Sequence, residues 1–212
     1  MARFRKIQRV PTDGRNYYLV DANFLANKHL PASLAPDATQ RDRILACQAW
    51  WAEIDTQLKA GTARVFVPDL CIAEAFKVLA KKYYREKWFK RHSDFRVARD
   101  ALSADMRTTS KELKKSVRAV RYHDISTNRD IVIGVDRFFE LFYKAGKNVQ
   151  IVDLIVLATA KYLMEFFDIP RESLHIITLD TALREGIAKA TDLPNAYDPA
   201  AVKSHRAAVV FV

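Results

Sequence analysis

Residues 17–21 read Tyr-Tyr-Leu-Val-Asp, a short apolar run that ends abruptly at a carboxylate. Such a run is typical of a buried β-strand. A second run, Ile-Ile-Thr-Leu-Asp at residues 176–180, also ends at an aspartate. The two stretches predict two buried strands, each followed directly by an acidic side chain.

Strand-like and helix-like segments alternate along the rest of the chain. Short apolar runs predict further strands at 65–67, 122–125 and 207–212. Helical spacing predicts helices at 41–58, 70–89, 129–144, 154–167 and 181–190, with one or two more in 93–120. Such alternation predicts a parallel sheet with helices on both faces. We therefore expect one three-layer α/β/α domain over residues 1–212, with a central parallel sheet of about five strands.

The composition excludes several classes of protein. Half of the 212 residues are apolar and 28% are charged, as expected for a packed globular chain. The longest apolar runs fall far short of the roughly 20 residues that span a bilayer. No apolar stretch follows the basic N-terminus, so we expect no secretory signal and no membrane association. The two cysteines, Cys47 and Cys71, have no paired spacing, which favours a cytoplasmic location.

The positive charge of the chain is concentrated in one segment. Between Lys77 and Arg121 there are 15 basic and 5 acidic residues, so this segment accounts for the whole net charge of +10. Such an excess favours contact with a nucleic-acid backbone, although a solvated helical face is the alternative. We expect a basic helical elaboration at about 77–121. Its candidate phosphate contacts are Lys81, Lys82, Arg85, Lys87, Lys90 and Arg91.

Four aromatic residues lie among these basic side chains: Tyr83, Tyr84, Trp88 and Phe89. Aromatic rings stack on the unpaired bases of a single strand. The alternative, favoured by the large free energy of burying aromatic rings, is that they belong to the core or to an interface.

Four acidic residues lie where solvation alone does not explain them. Asp21 and Asp180 follow predicted strands, and ligands bind at the carboxyl edge of a parallel sheet. Glu74 lies one turn into the helix after the second strand, on an apolar stripe. Asp153 opens the most apolar helix of the chain.

Each acid also has a purely structural interpretation. Asp153 and Asp180 are suited to cap the helices that follow them. Asp21 is suited to begin a turn, and Glu74 to pair with a cation. Four carboxylates at one sheet edge would, however, raise each other's pKa values unless a cation lay between them.

The donor types favour a particular kind of metal site. Carboxylates alone suit Mg²⁺ or Mn²⁺. Zinc is disfavoured because no His or Cys residues are grouped at ligand spacing. An acidic metal pocket beside a basic surface is typical of metal-dependent phosphodiester hydrolysis.

The acids occur within four short motifs: YLVDANFL at 18–25, VPDLCIAE at 67–74, VDLIVLATA at 152–160 and ITLD at 177–180. In this order the motifs resemble the PIN-domain family of ribonucleases, which includes the toxin ribonucleases of toxin–antitoxin pairs. The resemblance covers most of the chain. It implies a PIN-like three-layer fold and a metal-dependent endoribonuclease that hydrolyses RNA phosphodiesters.

The resemblance also implies roles for individual residues. The catalytic and metal-binding acids, which would hold one or two Mg²⁺ or Mn²⁺ ions, are Asp21, Glu74, Asp153 and Asp180. Asn23 and Thr178 occupy the family's small polar and hydroxyl positions and would orient carboxylates or metal-bound water.

The implied partners are an RNA substrate, a protein antitoxin or inhibitor, and a second copy of the chain in a homodimer. The chain is longer than typical toxin members of the family, chiefly in its basic segment, which is suited to bind substrate or to form a dimer.

Two other interpretations are open at this point. A non-catalytic RNA-binding module with a PIN-like fold would keep the basic surface without turnover. A phosphohydrolase of the haloacid-dehalogenase type also ends its first strand in Asp, but it needs a second Asp where this chain has Asn23. P-loop nucleotide hydrolysis is excluded, because the chain has no Gly-x-x-x-x-Gly-Lys motif.

Overall fold

A five-stranded parallel sheet forms the centre of the protein, in a computed structural model that describes residues 14–107 and 122–201. Its strands are β1 (Asn16–Val20), β2 (Ala63–Pro68), β3 (His123–Ile125), β4 (Leu174–Ile177) and β5 (Asn195–Tyr197). Their order is β3-β2-β1-β4-β5, and every pairing is parallel. The predicted α/β fold with about five parallel strands is confirmed.

The register places the carboxyl ends of β1 and β4 side by side. Val20 pairs with Ile177, and the N–H of Asp21 donates to the Ile177 carbonyl at 3.1 Å. All four residues of β4 are buried, as is typical of a parallel strand that is covered on both faces. The two chain segments that follow these strands therefore leave the sheet next to each other.

Eight helices surround the sheet in the described residues: α1 (Ala22–Asn27), α2 (Ala38–Ala60), α3 (Asp69–Tyr84), α4 (His92–Met106), α5 (Arg129–Gly134), α6 (Asp136–Lys144), α7 (Ile151–Phe166) and α8 (Thr181–Ile187). Helix α7 packs against β1, β2 and β4, and the predicted burial of its apolar residues is confirmed. Helix α2 contacts β1 through Gln57, which accepts a hydrogen bond of 2.8 Å from the Tyr18 hydroxyl. None of the described helices is both long enough and apolar enough to cross a membrane.

Helix α2 illustrates how side chains and glycine set the ends of an element. Asp37 begins it, because the carboxylate accepts the N–H of Gln40 at 2.7 Å. Gly61 ends it with a φ of +75°, a left-handed conformation that favours glycine. The helix predicted at 41–58 is therefore confirmed, with both ends slightly further out.

The helix predicted at 70–89 ends earlier, at Tyr84. Lys87 adopts a positive φ of 57°, and the Trp88 N–H donates to the Lys82 carbonyl at 2.9 Å, so the chain turns back on α3. The turn buries Trp88 and Phe89, which are 7% and 3% exposed. Burial of two large rings stabilises the turn more than another helical turn would stabilise the chain. Of the two interpretations of these rings, the favoured one is confirmed for Trp88 and Phe89, because they belong to the core.

The helix predicted at 129–144 is two helices, with the break after Gly134. A Cβ at Gly134 would lie 3.6 Å from the Cβ of Ala158 on α7, so the backbones approach closely there. Glycine also has low helix propensity. Helix α6 then begins at Asp136 and buries Phe138 and Phe142.

Two further elements differ from the sequence-based expectation. Helix α1 begins directly after Asp21, where no helix was predicted, because six residues are too few to show a helical period. The fifth strand is Asn195–Tyr197. The strand predicted at 207–212 and the part of the basic segment at 108–121 lie outside the described residues.

Candidate active site

Asp21 is a buried acid at the centre of the sheet edge, with an exposed fraction of 4%. Its Oδ1 accepts the N–H of Phe24 at 2.6 Å and thereby caps α1. Its Oδ2 accepts the hydroxyl of Thr178, which follows β4, at 2.5 Å. Two neighbouring strands therefore fix this carboxylate, because one carries it and the other leads into its hydrogen-bond donor.

Asp180 and Asp153 also lie at the starts of helices. Asp180 caps α8 by accepting the N–H of Leu183 at 2.7 Å, which confirms its structural role. Asp153 is the third residue of α7 rather than its cap; Gln150 is the cap and donates its N–H to Asp153 Oδ2 at 3.0 Å. A carboxylate has about four acceptor positions, so these capping bonds leave it able to bind another ligand.

Glu74 and Asn23 are less constrained. Glu74 is partly buried on α3, and its Oε1 lies 3.9 Å from Nζ of Lys77, a largely exposed side chain. Asn23 is exposed on α1, and none of the hydrogen bonds among the described residues joins it to the four acids. Thr178 therefore contacts a candidate metal ligand, Asp21, whereas Asn23 lies at the surface.

The burial of Asp21 favours its protonated form. Burial raises the pKa of Asp21 to about 6, against an ordinary value of 3.8. The hydrogen bonds from Thr178 and Phe24 oppose the rise, and the negative charge of Asp153 adds to it. Asp21 is therefore held in a place where its own charge is unfavourable.

Asp153 has the same property. Burial raises the pKa of Asp153 to about 6; the hydrogen bond from the Gln150 N–H opposes this rise, and the charges of Asp180 and Glu74 add to it. The four acids therefore form one electrostatically coupled group. We call this group the acidic edge: Asp21, Glu74, Asp153 and Asp180.

The thiol of Cys71 lies in the same acidic environment. Burial raises the pKa of its thiol well above the ordinary value, and the charges of Asp21, Glu74 and Asp153 raise it further. The thiol therefore lies within electrostatic range of three members of the acidic edge. A thiol with a raised pKa is a poor nucleophile, so Cys71 is a packing residue here.

The acidic edge fits a hard divalent cation in donor type and charge. Its donors are carboxylates, and a cation would relieve their mutual repulsion. As the side chains stand, however, no three or more His, Cys, Asp or Glu residues in the described part of the chain are arranged so that they could hold a metal ion. Both oxygens of Asp21 are held by Phe24 and Thr178, so ligation of a common ion requires the other three acids to turn toward Asp21.

The predicted phosphate contacts differ in whether their side chains already have an acidic or aromatic partner. Lys82 is engaged: its Nζ lies 2.7 Å from Glu86 Oε2 and 3.6 Å from the centre of the Trp88 ring. Lys81 also pairs with Glu86, at 3.3 Å, and Arg91 with Asp94, at 3.5 Å.

The other three basic residues, Arg85, Lys87 and Lys90, are exposed, and none of them has an ion-pair partner among the described residues. We call these three the basic surface. Its first member, Arg85, comes directly after α3. At a rise of about 1.5 Å per helical residue, it lies roughly 16 Å from Glu74 along the helix axis.

Sequence reasoning missed one residue that contacts the site. Arg184 on α8 donates from Nη1 to the carbonyl of Thr178 at 3.1 Å. An arginine in the last turn of a short helix is common and gives no signal of such a contact. Only the pairing of β4 with β5 and the position of α8 bring it to this place.

Comparison with solved structures finds one, FitAB, that supports the fold, and others with lower similarity. FitAB bound to an IR36 DNA fragment has a TM-score of 0.52 and 15% identity, over 89% of this chain and 99% of that chain. FitAcB from Neisseria gonorrhoeae has a TM-score of 0.49 and 17% identity, over 86% of this chain and 97% of that chain. VapBC2 from Rickettsia felis, bound to a DNA fragment from its promoter, has a TM-score of 0.49 and 10% identity, over 86% and 98%. No family model and no curated protein matches this chain.

These similarities concern the fold alone. The protein has a PIN-like α/β fold, with a five-stranded parallel sheet flanked by helices. At such low identity the structural likeness carries no information about individual side chains, so the roles of the acidic edge rest on the geometry and electrostatics given above.

Proposed function

We propose that this protein is a metal-dependent endoribonuclease whose catalytic site is the acidic edge. The observation that carries the proposal is the mutual coupling of its acids at the carboxyl edge of the sheet, where Asp21 and Asp153 each have a pKa of about 6. Carboxylates with raised pKa values that face like charges at the carboxyl edge of a parallel sheet are typical of functional sites.

Each acid has a defined part in the proposed site. Asp21 and Asp153, which lie on the neighbouring starts of α1 and α7, are the principal metal ligands, together with Glu74. Asp180 binds a second ion or holds a water. A bound Mg²⁺ or Mn²⁺ supplies a Lewis acid and an activated water for phosphodiester hydrolysis. Thr178 keeps one oxygen of Asp21 in a fixed direction by its hydrogen bond.

The charge of the chain supports the proposed substrate class. The basic surface is exposed and offers three cations to a phosphate backbone. Tyr84, whose exposed fraction is 59%, is the one member of the aromatic group that remains open for stacking on a base. These features support a single-stranded RNA substrate.

A protein partner belongs to the same proposal. FitAB, whose fold this chain resembles, is bound to a DNA fragment in its solved structure. The resemblance in sequence motifs and this likeness in fold together support a toxin that is neutralised by an antitoxin, in a cytoplasmic setting. Formation of a homodimer is a family expectation within the same proposal.

A second function has a specific observation in its favour. The capping bonds of the aspartates, and the lack of a three-ligand arrangement among the described residues, are compatible with an RNA-binding module that does not cleave. Such a module would use the basic surface alone, and the three aspartates would serve only to accept backbone N–H groups at helix starts.

A cleavage assay separates the two functions. The full chain is incubated with labelled single-stranded RNA in Mn²⁺ or in EDTA, beside the variants Asp153→Asn and Asp168→Asn. Asp168 is exposed between α7 and β4, at the opposite edge of the sheet, and its φ of 52° is one that Asn adopts readily.

The nuclease proposal predicts cutting in Mn²⁺ that EDTA and Asp153→Asn abolish and that Asp168→Asn retains. RNA binding without cleavage, unchanged by Asp153→Asn, would instead favour the binding module.

A further inference from the structure

Thr178 connects two members of the acidic edge. Its hydroxyl donates to Asp21 Oδ2 at 2.5 Å and accepts the Asp180 N–H at 3.0 Å. A hydroxyl has a single proton, so the bond to Asp21 fixes the direction in which that proton points. The Thr178 backbone therefore places a hydroxyl that binds the carboxylate of Asp21 and the backbone N–H of Asp180.

Arg184 holds this backbone from helix α8. Its Nη1 donates to the Thr178 carbonyl at 3.1 Å, and its Nη2 donates to the Thr181 hydroxyl at 3.1 Å. Nη2 also lies 2.8 Å from Asp198 Oδ2. Asp198 is itself fixed, because its Oδ1 accepts the N–H of Ala200 at 2.9 Å.

The contacts form a closed frame around Thr178. The Thr178 N–H donates to the carbonyl of Tyr197 at 3.0 Å, and Asp198 is the next residue in the chain. The side chains of Arg184 and Asp198 are only 20% and 15% exposed. Salt and water screen such a pair less than a surface ion pair, so it can hold a backbone segment in place.

We propose that Arg184 and Asp198 form a latch that positions Thr178, and through it Asp21, for metal binding at the acidic edge. The inference rests on the proposed function. The side chain of Arg184 contacts none of the four acids among its described hydrogen bonds and ion pairs, so it is a positioning residue. Its planar fork serves three acceptors at once, which the single ammonium of a lysine does not reproduce.

The test compares Arg184→Met and Arg184→Lys with a matched control, Arg137→Met. Arg137 also pairs with an aspartate, Asp192, at 2.6 Å, but on the exposed surface. Two quantities are measured on the full chain. The first is amide hydrogen exchange of Asp180 and Phe24, followed by NMR in EDTA. The second is the dissociation constant for Mn²⁺, measured by isothermal titration calorimetry.

The latch predicts faster exchange and weaker metal binding in Arg184→Met. We expect the Asp180 and Phe24 amides to exchange at least several-fold faster, and the Mn²⁺ dissociation constant to rise about ten-fold, the scale typical of residues that support metal ligands. Arg184→Lys retains the charge and the fold, so we expect an intermediate increase. Arg137→Met should match the wild type in both quantities.

Failure of the latch is distinguishable from failure of the proposed function. Wild-type exchange and wild-type Mn²⁺ affinity in both Arg184 variants, in a chain that binds Mn²⁺ and cuts RNA, would overturn the latch alone. A wild-type chain that binds no Mn²⁺ and cuts no RNA would overturn the proposed function, and with it the link between the latch and a metal site. Faster exchange in Arg137→Met of the same size would also overturn the latch.

Discussion

The acidic edge and the basic segment differ in how their charges are compensated. The charged groups that act on Asp21 and Asp153 are other acids, and burial adds to the unfavourable environment. In the basic segment, by contrast, Lys82 and Arg91 each have an acidic neighbour, at 2.7 and 3.5 Å. The three side chains of the basic surface, Arg85, Lys87 and Lys90, are exposed to solvent, where a charge costs little.

This difference indicates which of the two regions carries the chemistry. A group of like charges that is fixed by buried strands and helix starts destabilises the fold. Proteins retain such destabilising groups mainly at functional sites. Exposed cations contribute to association and to its salt dependence without being held in one geometry. We therefore expect substitutions at the acidic edge to change turnover, and substitutions at the basic surface to change affinity.

The largest expected effect separates these two roles. Asp21→Asn should lower kcat for RNA cleavage by about 1,000-fold with little change in KM, because the lost charge acts on the reacting centre. Arg85→Glu should instead raise KM and leave kcat close to the wild-type value. Steady-state kinetics on one RNA substrate measure both, with Asp168→Asn as the control. Equal losses of kcat in Asp21→Asn and Arg85→Glu would remove the distinction between the two regions.

The second effect concerns stability. Here Asp21→Asn is expected to gain stability, whereas it is expected to lose activity. The pKa of Asp21 is about 6 in the folded chain and 3.8 ordinarily, so the folded protein binds this proton more tightly than the unfolded chain does. The resulting stability is fully present below pH 4 and is lost as the pH rises through 6. Asp21→Asn cannot ionise, so it should be more stable than the wild type by about 3 kcal/mol at pH 8 and not at pH 3.

Urea unfolding in EDTA across this pH range measures the difference. Asp168→Asn, at an exposed position, should keep the pH dependence of the wild type. An Asp21→Asn variant that is no more stable than the wild type at pH 8 would show that the charge of Asp21 is compensated after all.

A smaller effect is expected from the basic surface. The sequence placed Lys81 and Lys82 among the candidate phosphate contacts, but Lys82 is paired with Glu86 and covers Trp88. Arg85→Ala and Lys87→Ala are the sharper variants, because both side chains are exposed. Each should reduce the slope of log affinity against log salt by about 0.7 for single-stranded RNA. Unchanged slopes, measured by fluorescence anisotropy in EDTA, would return these residues to a merely solvated face.

The smallest effect distinguishes Lys82 from its exposed neighbours. Lys82→Met removes the ion pair with Glu86 and the contact with the Trp88 ring, so we expect the free energy of unfolding to fall by about 1 kcal/mol. The salt dependence of RNA binding should stay that of the wild type. A reduced salt slope with unchanged stability would place Lys82 among the phosphate contacts.

Much of the frame of the site could be predicted from the sequence. The runs that end at Asp21 and Asp180 are apolar because both faces of a central parallel strand are covered, so they identify the strands and the edge together. The length and burial of helix α7 follow from its nearly continuous apolar stretch in the same way. These features depend on local composition, which a single sequence displays.

The remaining features depend on contacts between distant segments. Helix α3 ends where Trp88 and Phe89 find a place in the core, and Asn195–Tyr197 is a strand because it pairs with β4. The contact of Arg184 with Thr178 requires both the short helix α8 and the loop before it. No local pattern indicates any of these, because the energy of each comes from a partner elsewhere in the fold.

Direct measurement of Mn²⁺ binding tests the central claim that the four acids act as one site. Isothermal titration calorimetry at pH 7.5 compares the wild type with Asp21→Asn, Asp153→Asn and Asp168→Asn, in the absence of RNA. We expect saturable Mn²⁺ binding to the wild type and to Asp168→Asn, and its loss in both of the other variants. Equal Mn²⁺ binding by all four proteins, or none by the wild type, would contradict this claim.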